Sequence, residues 1–421
     1  MQRKFYLTAI LLISCMTQSI GGQEWPRFRG PNGTGQTETK GIPAEWTAAD
    51  YNWRASLPGI GHSSPVLWGE RLYLLSADPK NATRYLLCLH ADTGRKLWQR
   101  DFSSSRHHLH LRNSFASCSP AVDDKHVYIA WSTPTKTTFR ALTHDGKDVW
   151  EIDLGPFVSM HGFGTSPVVY KDMVILADMQ LMAEQHLSKV RNSDKVGEAF
   201  VVAVHRQTGE ILWKSPKKTS VAGYSVPCIH KNADGEDELL CCASGHDIFS
   251  LNPQTGKQNW SIDVFKMRTV SSPIVVGGLV FGSTGSGGGG NYVVAVRPGD
   301  SGPRVVYEIK TQAPYVPTPV ARGDLVFLWY DKGIVTCVDA KTGNAYWRER
   351  IGSNFSGSPV RVADKVYCID ESGVVFVLAA EKEFRLLAKN DLGEPSRATP
   401  AVARGQMFLR TESRIVSIGG K

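Results

Sequence analysis

Apolar and polar positions alternate along most of this chain in short runs. Ile334-Val335-Thr336-Cys337-Val338-Asp339 is one such run. A polar turn, Ala340-Lys341-Thr342-Gly343-Asn344, follows it, and the next run carries Trp347. A period of two is that of a half-buried strand, and the turn has hairpin composition. The pattern recurs around Gly94 and Trp98, Gly209 and Trp213, and Gly256 and Trp260, with a looser copy at Gly146 and Trp150. The Gly sits where a short hairpin needs positive φ. The Trp, which buries about 150–250 Å², is predicted to plug the space between neighbouring sheets.

A second mark precedes each hairpin: a small residue, then Pro, then a β-rich run. The marks are Ser64-Pro65, Ser119-Pro120, Ser166-Pro167, Val226-Pro227, Ser272-Pro273, Thr318-Pro319, Ser358-Pro359 and Thr399-Pro400, spaced by 55, 47, 60, 46, 46, 40 and 41 residues. Pro is tolerated at the first residue of a strand. Each unit reads as four short strands, and four-stranded repeats of about 40–50 residues make a β-propeller. The expectation is an all-β fold: one eight-bladed β-propeller of four-stranded blades over residues 51–421. The last repeat stops at its third strand, near Ile418. A spare Trp strand, Tyr51-Asn52-Trp53-Arg54-Ala55, lies before the first mark. Pairing the two closes the ring and removes two exposed sheet edges.

Composition adds little to the fold and more to the setting. Of 421 residues, 42% are hydrophobic. That length alone predicts two or three domains, whereas the unbroken repeats predict one. Residues 1–22 read as a signal peptide: Arg3 and Lys4, then an apolar stretch too short to span a bilayer. Leu12-Ile13-Ser14-Cys15 resembles a bacterial lipobox, in which Cys15 would be lipidated; ordinary cleavage near Gly21-Gly22 is the alternative. Either way the chain is expected to be exported, to the periplasm, the outer membrane or beyond. The formal charge is +8. No Lys/Arg-rich run marks a nucleic-acid site. The eight Cys include no Cys-x-x-Cys spacing, so no zinc or haem site is expected.

Residues 23–50 are predicted to be a strap packed on the propeller, with Arg27 and Arg29 pairing locally. Blade three carries a polar insert over residues 179–198. The Gly-rich stretch at 283–290 lacks the Gly-Lys-Ser/Thr ending of a phosphate loop and is read as a flexible loop.

Propeller geometry then locates a candidate site. Each innermost strand begins at its mark, so the residues just before the marks converge on one mouth of the central channel. The expected ring is His62, Asn113, His161, Tyr224, Arg268, Tyr315, Asn354 and Arg397. Arginines and aromatics of this kind suit an anionic or peptide ligand. Polar lining of a watery channel explains them equally. No Asp or Glu is convincing as a member; Glu394 is the nearest. His107, His108 and His110 lie upstream of the second mark, without a carboxylate partner for a metal.

The Ser-Pro strand and the Thr-Gly-x-x-x-Trp hairpin together resemble the PQQ-like (quinoprotein) propeller repeat family. Phrases such as His161-Gly-Phe-Gly-Thr-Ser-Pro167 and Asn354-Phe-Ser-Gly-Ser-Pro359 look like a secreted bacterial branch of it. The resemblance covers nearly all of the chain after its leader and implies fold more than activity. Two roles follow from it. One branch, the quinoprotein alcohol dehydrogenases, binds PQQ and Ca²⁺ at the mouth, with an Asp base and a vicinal disulfide; Cys241-Cys242 invites that reading but falls in a strand. The other, the propeller scaffold lipoprotein of the outer-membrane β-barrel assembly machinery, uses no cofactor. The chain looks more like the second. It is read as a monomeric, non-catalytic envelope propeller without a cofactor, binding a protein, a peptide or a small anionic ligand. A PQQ- and Ca-dependent dehydrogenase is the alternative.

Overall fold

The computed structural model describes residues 24–191, 193–299 and 301–420. The leader, with its lipobox-like Cys15, lies outside them. The described residues form eight blades, each an antiparallel four-stranded sheet. Helix is confined to three short 3-10 turns, Pro31–Gly33, Ala48–Asp50 and Glu184–Lys189, the last inside the blade-three insert. No helix of the described residues is long and apolar enough to cross a membrane.

The ring closes as its strand count predicts. Trp53–Ser56 pairs antiparallel with Arg414–Gly419, Trp53 opposite Ser417, and supplies the fourth strand of blade eight. The repeated glycines all have positive φ, from 67° at Gly94 to 79° at Gly146. Each turn is also where the previous blade's aromatic lands. The Trp53 indole N–H donates to Ala91 O at 2.7 Å, Trp98 to His144 O at 2.8 Å, Trp150 to Arg206 O at 3.0 Å and Trp213 to Pro253 O at 3.2 Å. Trp347 reaches Glu381 O, and Tyr307 takes the place of a Trp on Ala340 O. A Cβ at Gly256 would come within 2.5 Å of the Trp213 ring. The glycine therefore serves twice, for turn conformation and for the close approach of an indole.

The marks make a second ring, nearer the axis. The backbone N–H of Ser64 donates to Ser119 Oγ at 2.8 Å, and that of Ser119 to Ser166 Oγ at 2.9 Å. The chain resumes at Val226 N, which donates to Ser272 Oγ at 3.1 Å. It runs on through Thr318, Ser358 and Thr399, and Thr399 N returns to Ser64 Oγ at 3.0 Å. One link is missing, because Val226 offers Ser166 no hydroxyl.

The strap departs from expectation. Arg29 does bond locally, Nε to Gly33 O at 3.2 Å and Nη2 to Thr34 O at 3.1 Å, but both arginines are buried and reach across the channel floor to carbonyls at the marks of distant blades. Arg29 Nη1 donates to Thr318 O and Pro359 O at 3.1 and 2.9 Å, and Nη2 to Pro319 O at 2.7 Å. Arg27 Nη2 donates to Pro227 O at 2.7 Å. A guanidinium fork can serve several carbonyls that converge on an axis, which no local carboxylate requires. Gln36–Thr37 then adds a parallel fifth strand to blade seven, along Val360–Val362. Further on, Trp46 N and Ala44 O clasp the Asn390 side chain of the same blade. Burial pulls the Arg29 pKa down to about 9 and that of Arg27 to about 10.

Candidate functional site

With one end of the channel closed by the strap, the other opens into a cavity of about 480 Å³. Its walls come from two kinds of segment. The residues before the marks descend into the inner strands. The turns between second and third strands return to the same end, since each strand reverses direction. His62, Asn113, His161, Tyr224, Arg268, Tyr315 and Arg397 all line the cavity. Asn354 does not. It is exposed on the rim, and Ser356, two residues on, lines the wall in its place. The error is one of offset: His62, Tyr224 and Arg397 each lie two residues before their mark, and Ser356 is the residue at that offset from Ser358, whereas Asn354 lies four before it.

Arg268 is held by backbone and neutral partners. Its Nε donates to Ala222 O at 3.0 Å, while Nη1 lies 3.3 Å from His161 Nε2 and 3.5 Å from the Tyr315 hydroxyl. A guanidinium only donates, so His161 Nε2 accepts and the ring proton sits on Nδ1. Nδ1 is buried without a partner. Burial, reinforced by Arg268, drops the His161 pKa to about 3. His62 is likewise lowered to about 3 by burial, with Arg397 and Arg410 adding to it. Both rings are therefore neutral at physiological pH.

Two acids that the sequence did not single out stand at this end. Glu371 lies 3.4 Å from Arg397 and 4.0 Å from Arg112, and accepts from Ser356 Oγ at 2.5 Å. Asp331 accepts from the backbone N–H groups of Tyr315 and Val316 at 2.7 and 3.0 Å, and burial raises its pKa to about 6. Both sit in or beside the turn after a second strand, so strand direction was the signal that could have found them. Glu394 is not a member; the hydroxyls of Thr411 and Ser413 occupy its carboxylate. The floor carries the hydroxyl ring and Phe28 of the strap.

The histidine cluster does not converge. His107 stacks edge-on against Phe115, His108 is exposed, and His110 packs on His161 at 4.5 Å. Among the described residues no group of three or more His, Cys, Asp or Glu is placed to hold a metal. A Ca²⁺-dependent quinone cofactor needs several converging oxygen ligands. Here Glu371 is engaged by arginines and Asp331 by backbone. Cys241 and Cys242 are buried free thiols within the strand Asp237–Cys242, packed between blades. The residues present do not fit that group.

The docked aromatics, the hydroxyl ring and the axial cavity define an eight-bladed propeller of the quinoprotein type. The profile of the family described as outer membrane protein assembly factor BamB matches residues 82–349 and 331–418. The chain belongs to that family. It is 20% identical over 331 residues to the outer membrane protein assembly factor BamB of Yersinia pestis, covering 75% of each chain. It is 23% identical over 249 residues to a tetrathionate hydrolase of Acidithiobacillus ferrooxidans, covering 56% of this chain but only 44% of that protein. Among solved structures, BamB from Moraxella catarrhalis superposes with a TM-score of 0.59 at 14% identity, over 86% of this chain and 97% of that one. A europium-containing methanol dehydrogenase gives 0.53 at 14% identity, over 85% and 89%. These superpositions establish the fold alone, because one ring serves several roles.

Proposed function

We propose that this protein is a non-catalytic propeller of the cell envelope that holds a protein or peptide partner at the mouth of its channel. The observation that carries this reading is the match to the assembly-factor family along most of the ring. The mouth supports it: exposed histidine and arginine side chains rim a half-open cavity, and such groups suit a partner segment bearing carboxylates. The dehydrogenase reading is disfavoured because both acids at the mouth are engaged. Export, with Cys15 as a lipid anchor in the lipobox reading, belongs to the same proposal and would put the propeller where such partners are found.

The test is affinity capture from cross-linked envelopes of the source cells, run beside a dye-linked alcohol oxidation assay with PQQ and Ca²⁺. Recovery of outer-membrane assembly components with no oxidation is the expected result. Failure to recover them overturns the scaffold role. Cofactor-dependent turnover overturns the non-catalytic part.

A further inference from the structure

The cavity beneath the rim has its own chemistry. Three guanidinium groups face it, those of Arg112, Arg268 and Arg397. One carboxylate, Glu371, stands against two of them. Arg268 has no carboxylate among its described partners, and Arg397 Nε is buried without a partner. Asp331 faces its own backbone donors. Three arginines against Glu371 and Asp331 leave an excess of one positive charge at this end, and only the arginines line the cavity itself.

The floor is biased the same way. Each of Ser64, Ser119, Thr318, Ser358 and Thr399 uses its hydroxyl oxygen to accept the N–H of a neighbouring blade. Among the described residues none of these five hydroxyls donates to a protein acceptor, so their protons are free for something in the cavity. Buried donors without acceptors are costly, and a cavity lined with them is complementary to oxyanions. Phe28 and Val226 give the floor an apolar part, and Tyr224, Val270 and Val316 make the wall above it apolar or aromatic. A volume of about 480 Å³ lies within the range of about 300–1,000 Å³ usual for small-molecule sites.

We propose that this cavity binds a small organic dianion: two carboxylate or sulfonate groups on an apolar body. Arg268 holds one group, Arg397 and Arg112 hold the other, and the hydroxyl floor donates to the remaining oxygens. This goes beyond the partner-binding role and rests on it only in requiring no turnover.

Calorimetry on the purified full chain at fixed ionic strength tests it, with benzene-1,2-dicarboxylate, benzene-1,3-disulfonate, benzoate and the neutral phthalamide as probes. At least one dianion is expected to bind, benzoate at least tenfold more weakly, and phthalamide not at all. The better dianion separates carboxylate from sulfonate recognition. Arg268→Gln and Arg397→Gln are each expected to weaken dianion binding at least tenfold while the thermal unfolding curve stays that of the parent. No dianion binding at millimolar concentration overturns the proposal, as does equal binding of phthalamide or undiminished binding by both variants. None of these outcomes bears on the capture of envelope partners, which is read without added ligand.

Discussion

The hydroxyl ring has one defective link, and that defect can be repaired. Seven blade-to-blade bonds join a backbone N–H to the next mark's hydroxyl, at 2.8 to 3.1 Å. At the eighth, Val226 presents a methyl to blade three. Val226→Thr keeps the side-chain shape and supplies the acceptor. The reverse swap, Thr318→Val, removes one that now takes the Ser272 N–H at 2.9 Å. Ser272, whose N–H would be stranded, is 5% exposed and buried at the blade junction. A net intramolecular hydrogen bond contributes about 0.5–1.5 kcal/mol, whereas stranding a buried donor costs about 1–3 kcal/mol. Thr318→Val strands the Ser272 N–H, and Val226→Thr gives the Ser166 N–H an acceptor it lacks among the described residues of the parent, so the loss and the gain are expected to be of similar size. Urea unfolding with linear extrapolation measures both, provided the slope is unchanged. The double variant should show the two effects adding, since the links are separate. The reasoning is refuted if Thr318→Val is as stable as the parent, or if Val226→Thr is destabilised to the same extent.

Three further outcomes are expected. Gly256→Ala should cost about 1–3 kcal/mol more than Gly393→Ala, by chemical denaturation, because both add positive-φ strain but only the former drives a Cβ into an indole. Arg29→Met should cost about 3 kcal/mol or more by stranding three blade carbonyls, with Arg29→Lys failing to restore stability because an ammonium has no fork; parent-like stability of Arg29→Met would sink this account. His62 and His161 titrate near 3 in the fold and near 6.5 when unfolded, so between those values the unfolded chain binds the extra protons; stability should be full above pH 6.5 and fall with acid, by at most about 1.4 kcal/mol per pH unit for each histidine, less for the more solvated His161, and His62→Gln should flatten the profile measured by urea unfolding from pH 7 to 4.

The ring was legible because its signals are local and repeated. Gly343 and Trp347 are four residues apart, so turn, strand and plug can be read in one window, and eight marks count the blades. Closure was legible too, since a Trp strand was surplus at one end and missing at the other. The strap was not. Arg29 lies 290 positions from Pro319, and nothing local says that a guanidinium will satisfy carbonyls on a distant axis. The site was half legible. Residues before the marks share one backbone role, so seven of them were placed together. Asn354 failed because it lies four residues before its mark, whereas the residue two before, Ser356, is the one that reaches the wall. Glu371 and Asp331 were missed because attention stayed on the inner strands, although each second strand comes back to the same rim.

The closing strand also carries a consequence for the order in which the molecule is made. Trp53–Ser56 is synthesised before any blade, yet its partner Arg414–Gly419 follows all seven complete blades. Asn52 and Ser417, which meet at this seam, stand 365 positions apart. On a ribosome adding about 5–20 residues per second, the early strand waits tens of seconds for its mate. Through that interval Trp53–Ser56 has no strand partner and each end of the nascent arc presents an uncovered blade face, and an unpaired strand invites pairing with a second chain. The seam is thus the step at which a growing chain is most exposed to the wrong neighbour.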